Sequence, residues 1–115
     1  MARFRLSGLA RADIARILAT SAERWGTEAR RRYAAVLAAA MRKVAVDPEG
    51  PTTRGRPDLL PGIRSFHIRY AASRDVEARV SRPVHILYYR VITPGLIEIV
   101  RVLHDRMDPA RHLPS

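Results

Sequence analysis

His104, Asp105 and Arg106 follow one another where an alternating apolar run ends, within Arg101-Val102-Leu103-His104-Asp105-Arg106-Met107-Asp108. His104 could act as a general base or acid there, and Arg101 or Arg106 could steady a phosphate. The plainer reading is a histidine pinned at a strand end by Asp105 or by backbone. His104, Asp105, Asp108 and His112 match no established metal-ligand spacing, so no metal is expected. The chain has no cysteine, which excludes disulfides, thiol nucleophiles and thiolate metal sites. There is no glycine-rich phosphate loop, no spaced pair of carboxylates and no Ser/His/Asp arrangement, so ordinary hydrolase chemistry and a cofactor are not expected. Two aromatic-basic runs, Arg64 to Tyr70 and Tyr88-Tyr89-Arg90, could stack bases while arginines hold phosphates. Phe66, Ile68 and Tyr70 would share one strand face, however, and the reading as core is preferred.

The elements that must hold these groups come from 115 residues, 47% of them hydrophobic and 28% charged, which suits one globular domain over 1–115. Ala34 to Met41 is the longest uncharged apolar stretch, far short of the roughly 20 residues that cross a bilayer. No apolar secretory segment follows the amino terminus, so a cytoplasmic protein without membrane contact is expected. The formal charge is +10, and Lys43 is the only cation that is not arginine. A GC-rich genome accounts for the preference for arginine over lysine, but not for the imbalance between cations and acids. Such a surface wants nucleic acid or an acidic protein segment. Residues 1–46 carry 10 cations and 3 acids, so the charge is concentrated in the amino-terminal part.

Arg3 to Leu6 alternates as a strand with one covered face. Ser7 can cap a helix whose inner stripe is Ala10, Ile14, Ile17, Leu18, Ser21 and Trp25. Gly26 ends it, and Thr27 can cap a second helix with Ala29, Tyr33, Val36, Leu37, Ala40, Met41 and Val44 inward, giving a helical hairpin. Ala34, Ala35, Ala38 and Ala39 leave the rest of this second cylinder smooth enough to accept a peptide. Asp47-Pro48 stops it, and the prolines and glycines of 49–62 predict an irregular surface crossing. Strands are expected over 63–70, 84–92 and 96–104, with Thr93-Pro94-Gly95 closing the last pair. The stretch 71–83 reads as an extended loop or hairpin tip, and 105–115 as a tail with a short turn capped by Asp108-Pro109. If Ile92 faces Ile97, His85 faces His104. One sheet face then carries Ile86, Tyr88, Arg90, Ile97, Ile99, Arg101 and Leu103, and the other His85, Leu87, Tyr89, Val91, Glu98, Val100, Val102 and His104. One face packs on the helices, and the other needs cover from the tail or a partner.

The fold class is thus α+β: an amino-terminal strand, a two-helix hairpin, then a three-strand antiparallel meander. With Arg5-Leu6-Ser7, Ala22-Glu23-Arg24-Trp25-Gly26, Pro61-Gly62-Ile63-Arg64-Ser65, His85 to Val91, Ile99 to His104 and Arg106 to Leu113 in order, this layout resembles the ParE branch of the RelE/ParE toxins. The resemblance implies the toxin of a type II toxin–antitoxin pair, in a hetero-oligomer with an antitoxin whose acidic carboxyl-terminal segment folds over it. It further implies DNA gyrase as target, trapped on cut DNA without turnover. Arg101, His104, Arg106 and His112 are the expected target contacts, and Trp25, Arg31, Tyr33 and Arg42 the expected antitoxin contacts. The related ribonuclease branch would instead use His104 with Arg64, Arg90 or Arg106, although Asp105 stands where a phosphate-holding arginine is wanted. A partner-binding module without activity is the remaining alternative.

Overall fold

A computed structural model describes residues 2–71 and 83–114; the loop or hairpin tip expected at 71–83 therefore lies, apart from its ends, outside the described residues. β1 (Arg3–Leu6) leads into α1 (Gly8–Val46), followed by β2 (Arg54–Gly55), β3 (Arg64–His67), β4 (His85–Thr93) and β5 (Leu96–His104). The strands form one mixed sheet in the order β1-β5-β4-β3-β2. β1 lies parallel to β5, and the other neighbours are antiparallel. No helix among the described residues is long and apolar enough to cross a membrane.

Ser7 starts α1 in two ways. Its hydroxyl accepts the Ala10 N–H at 3.0 Å and donates to the Val100 carbonyl at 2.7 Å, fixing the first helical turn to the sheet. A straight helix of 39 residues would run about 58 Å. Instead Ser7 N–H bonds the Ile99 carbonyl, while Pro48, just past the other end, accepts from Tyr89, the residue paired with Ile99. Both ends of α1 therefore meet the sheet at one level. The reversal is at Gly26, the one residue of α1 with non-helical angles (φ 89°, ψ 174°). The hairpin expected from sequence is thus present as two helical arms, 8–25 and 27–46, that follow each other directly through the sharp corner at Gly26.

Residues 27–46 bury the expected stripe of Tyr33, Val36, Leu37, Ala40, Met41 and Val44. In 8–25 Ile14, Ile17 and Leu18 pack on the same core, but Trp25 is 68% exposed, contrary to its place on the expected inner stripe. It stands beside the corner, where the helix has already left the sheet.

Three further expectations are corrected. The crossing 49–62 is not wholly irregular, because Arg54 and Gly55 pair with Ser65 and Arg64 and add a strand to the meander. β3 stops at His67, and the chain turns through a 3-10 helix at Ile68–Ala71; Tyr70 is therefore 41% exposed instead of sharing the core with Phe66 and Ile68. The facing of β5 also changes along its length. His85 does oppose His104, but between Tyr88↔Arg101 and Tyr89↔Ile99 the extra residue Val100 makes a bulge, and Val91, not Ile92, opposes Ile97. One inserted residue inverts alternation. Ile97 and Ile99 consequently join Leu87, Tyr89 and Val102 against α1, while Val100 joins Tyr88 and Leu103 on the other side. That second face is closed by Leu59 and Leu60 from the crossing and by Leu113 from the tail.

The backbone of Gly26 occupies a region open essentially to glycine alone, and apart from its chain neighbours and the adjoining helix backbone no atom lies within 4 Å of a Cβ placed there. Gly26→Ala should therefore cost about 1–3 kcal/mol through backbone strain, not collision. Urea unfolding should show a lower midpoint with an unchanged slope.

Candidate functional site: a cationic cleft at the end of the sheet

The corner of α1 overhangs the end of the sheet where β4 begins and β5 finishes, and between them lies a cleft of about 810 Å³. Ile17, Trp25, Ala29, Leu103 and Met107 supply apolar lining, and Arg16, Arg24 and Arg32 supply charge. Its deep wall is a buried ion pair. Asp13, 4% exposed, accepts from Arg101 Nε at 2.8 Å, Arg101 Nη2 at 2.7 Å, the Val102 N–H at 2.9 Å and Arg16 Nη2 at 3.2 Å. Arg101 Nη1 donates to the His112 carbonyl at 2.7 Å. A carboxylate removed from water is tolerable because these donors replace its hydration.

His67, His85 and His104 gather at the same end of the sheet. His85 and His104 meet edge to face, with ring centroids 5.6 Å apart. The Tyr33 hydroxyl accepts the Val84 N–H at 3.2 Å and lies 2.5 Å from His85 Nδ1. Burial raises the Tyr33 phenol above its ordinary value, so it keeps its proton. Burial, reinforced by the neighbouring His104, pushes His85 down to about 4, which leaves it neutral at physiological pH. His104 Nδ1 accepts the Arg106 N–H at 3.1 Å, so the neutral ring carries its proton on Nε2. Asp105 Oδ1 also lies 3.3 Å from that Nδ1, a contact that becomes an ion pair only when the ring is protonated. His67 accepts the Arg69 N–H on Nδ1 and donates from Nε2 to Asp105 at 3.0 Å. That bond, ahead of the nearby charges, lowers Asp105 below the usual carboxylate range. Asp105 remains negative beside His104.

The cleft joins residues expected to serve different partners: Trp25 and Tyr33 line it together with Arg101, His104 and His112. Tyr33 is buried, and only its hydroxyl end reaches the site. Arg101 is mostly withdrawn, its side chain 13% exposed. Arg106 is exposed next to the site. Arg31 and Arg42 are exposed on the second arm of α1, Arg31 in an ion pair with Glu28. Arg64 and Arg90 are not brought to His104. Arg64 is opposite Tyr89, and Arg90 follows it, so by strand rise they stand roughly 13 and 17 Å from the His85–His104 pair. Arg64 is tied to the Pro48 carbonyl and Thr53, and Arg90 to Glu98. Among the described residues, no cluster of His, Asp and Glu could hold a metal ion.

Sequence reasoning missed Asp13, which sits on a helix face among small residues and appears there as one more polar position. Its signals were the place of Asp13-Ile14 in the family resemblance and its spacing from Ala10 and Ile17, which puts it on the inward side. His85 was placed opposite His104, but its neutral state depends on burial under Tyr33, which no spacing reveals.

The comparisons with known proteins agree across nearly the whole chain. The family described as "ParE toxin of type II toxin-antitoxin system, parDE" matches residues 4–109. The chain is 32% identical over 111 residues to Toxin ParE1 of Mycobacterium tuberculosis, covering 96% of this chain and 97% of that one. It is 34% identical over 114 residues to Toxin ParE1 of Caulobacter vibrioides, covering 98% and 99%. A solved chain of the chromosomal ParDE system from P. aeruginosa superposes with a TM-score of 0.64 at 20% identity, over 90% of this chain and 96% of that one, a likeness of fold.

Two outcomes follow from the geometry. Asp13→Ala strands the Arg101 guanidinium in a buried wall and should cost about 3–5 kcal/mol in denaturant unfolding. His85 gives a pH signature, because the unfolded chain protonates it below about pH 6.5 while the folded chain resists until about pH 4. Its contribution is complete above pH 6.5 and is lost as the pH falls toward 4. Wild-type stability minus that of His85→Gln should drop by on the order of 2 kcal/mol across this window, a figure reduced for the ring's partial exposure. A flat difference curve would mean that His85 titrates as it does in the unfolded chain.

Proposed function

The chain belongs to the ParE toxins of type II toxin–antitoxin systems, and from that premise we propose that it binds DNA gyrase, holds it on cut DNA, and is silenced in the cytoplasm by the acidic segment of its antitoxin. The observation that carries the choice of a binding over a cleaving toxin is the separation of Arg64 and Arg90 from the histidines at the sheet end. RNA cleavage by the 2′-hydroxyl needs a base, an acid and cations around one phosphate. Here Arg64 and Arg90 are far down the sheet and committed to other partners, while the negative Asp105 stands beside His104, where a phosphate-holding arginine is wanted. Arg106 alone of the arginines named for cleavage adjoins His104. His104, Arg106 and His112, with Arg101 beneath them, make a rim suited to gripping a protein surface.

The antitoxin reading draws on the second arm of α1. Arg31, Ala35, Ala38 and Arg42 follow at steps of four, three and four and so form one stripe, with small side chains between two cations. Ala35 is exposed and Ala38 half-buried. An amphipathic acidic helix can lie on such a lane, its apolar side on the alanines and its carboxylates at the arginines. Trp25, exposed at the corner with the Arg24 guanidinium 6.0 Å from its ring, offers an aromatic anchor at the cleft end.

Purified protein added to gyrase and supercoiled plasmid should produce linear DNA that is absent without gyrase, and Arg106→Ala should reduce it. Trp25→Ala and Arg42→Glu should each weaken antitoxin binding about ten- to hundredfold, read by titration calorimetry. Plasmid left intact beside messenger RNA cut on translating ribosomes would replace this reading with the ribonuclease one.

A further inference from the structure

Beyond Met107 the chain leaves the sheet and is held to it at few points. Within 108–114 the hydrogen bonds close locally: Ala110 N–H to the Asp108 carboxylate, Arg111 N–H to the Asp108 carbonyl, and the His112 and Leu113 N–H groups to the Pro109 carbonyl. Among the described residues, the one hydrogen bond from this segment to the body of the protein is that from Arg101 Nη1 to the His112 carbonyl. One apolar contact supplements it, Leu113 on the second-face cluster with Tyr88 and Leu103.

The direction of the Arg101 hydrogen bond is set by Asp13. A guanidinium is a rigid planar fork with five donors. With Nε and Nη2 both on the Asp13 carboxylate, the plane cannot rotate, and Nη1 is left pointing at the His112 carbonyl. Asp13 is fixed in turn by the Val102 N–H, so a residue of α1, the backbone of β5 and the tail meet at one group.

We propose that the Asp13–Arg101 pair is a latch that positions the carboxyl-terminal segment 108–114 and thereby shapes the wall of the cleft that His112 forms. Arg101 is then a positioning residue, acting on the partner surface through the tail. The importance of that wall rests on the toxin reading above; the latch itself is a property of the free protein and can be measured without gyrase or antitoxin.

Arg101→Lys separates the latch from the fold. Lysine keeps the charge beside Asp13 and most of the apolar stem, but a point charge cannot span the carboxylate and the distant carbonyl together. Amide hydrogen exchange on the full chain, read peptide by peptide, should show 108–114 exchanging about tenfold faster or more in this variant, as expected for loss of one charge-assisted bond. Peptides from α1 and β4 should change by less than about twofold. Leu113→Ala, which leaves the ion pair intact and removes the other anchor, should give the same local signature. Tryptic cleavage after Arg111 should accelerate in both variants. Unchanged tail exchange in Arg101→Lys would overturn the proposal, and so would an equal increase across α1, β4 and the tail, which would make Arg101 a general stabiliser of the fold.

Discussion

A carboxylate from the first helical arm, Asp13, is buried against the guanidinium of Arg101 at the far end of β5, and the rest of the site depends on that pair. By itself a buried ion pair adds little stability over well-packed apolar residues, because desolvating both charges offsets most of their attraction. Its value is in direction. Asp13 accepts the Val102 N–H as well as the guanidinium, and with the Ser7 bonds to Ile99 and Val100 this ties the first arm of α1 to one place on β5. With the register fixed, the corner at Gly26 overhangs the sheet end and Tyr33 comes to rest on His85.

The second constraint is that the small sheet is covered on both faces. The bulge at Val100 allows this, since it lets β5 send Ile97, Ile99 and Val102 to α1 while Val100 and Leu103 face the opposite side. Ser7 uses the same irregularity, donating to the Val100 carbonyl while capping α1. A single inserted residue thus serves the core on two sides and the start of the helix. The tail and the crossing 49–62 supply Leu113, Leu59 and Leu60 to the second face, and their regular structure is limited to the short strand at Arg54–Gly55 and one 3-10 turn at Pro109–Arg111.

Electrostatically the molecule separates two tasks. Its net charge of +10 creates a field that speeds encounter with acidic partners and repels a second copy of the chain. At the sheet end the local arrangement differs, with a neutral His85, a negative Asp105 and arginines that are largely engaged. Attraction is spread over the surface, while His67, His85 and His104 are each held by a partner within the fold. Nearly the whole chain aligns with the ParE family.

The α+β class, the Ser7 cap, the break at Gly26, the inner stripe of the second arm and the turn at Pro94-Gly95 were all legible in the sequence, because each follows from local spacing or from one residue's backbone preference, whereas His85 meets His104 as expected only because the extra residues Ile92 and Val100, one on each strand, offset each other. Local rules could not place the Val100 bulge, the two-residue strand at Arg54–Gly55 or the exposure of Trp25 and Tyr70, since each depends on what the neighbouring element offers. The site shows the same division. The sequence marked His104, Arg106 and His112 by their chemistry, whereas the meeting of Asp13 with Arg101 across 88 positions, and the burial that keeps His85 neutral, arose only when the helix docked on the sheet and took water away from both.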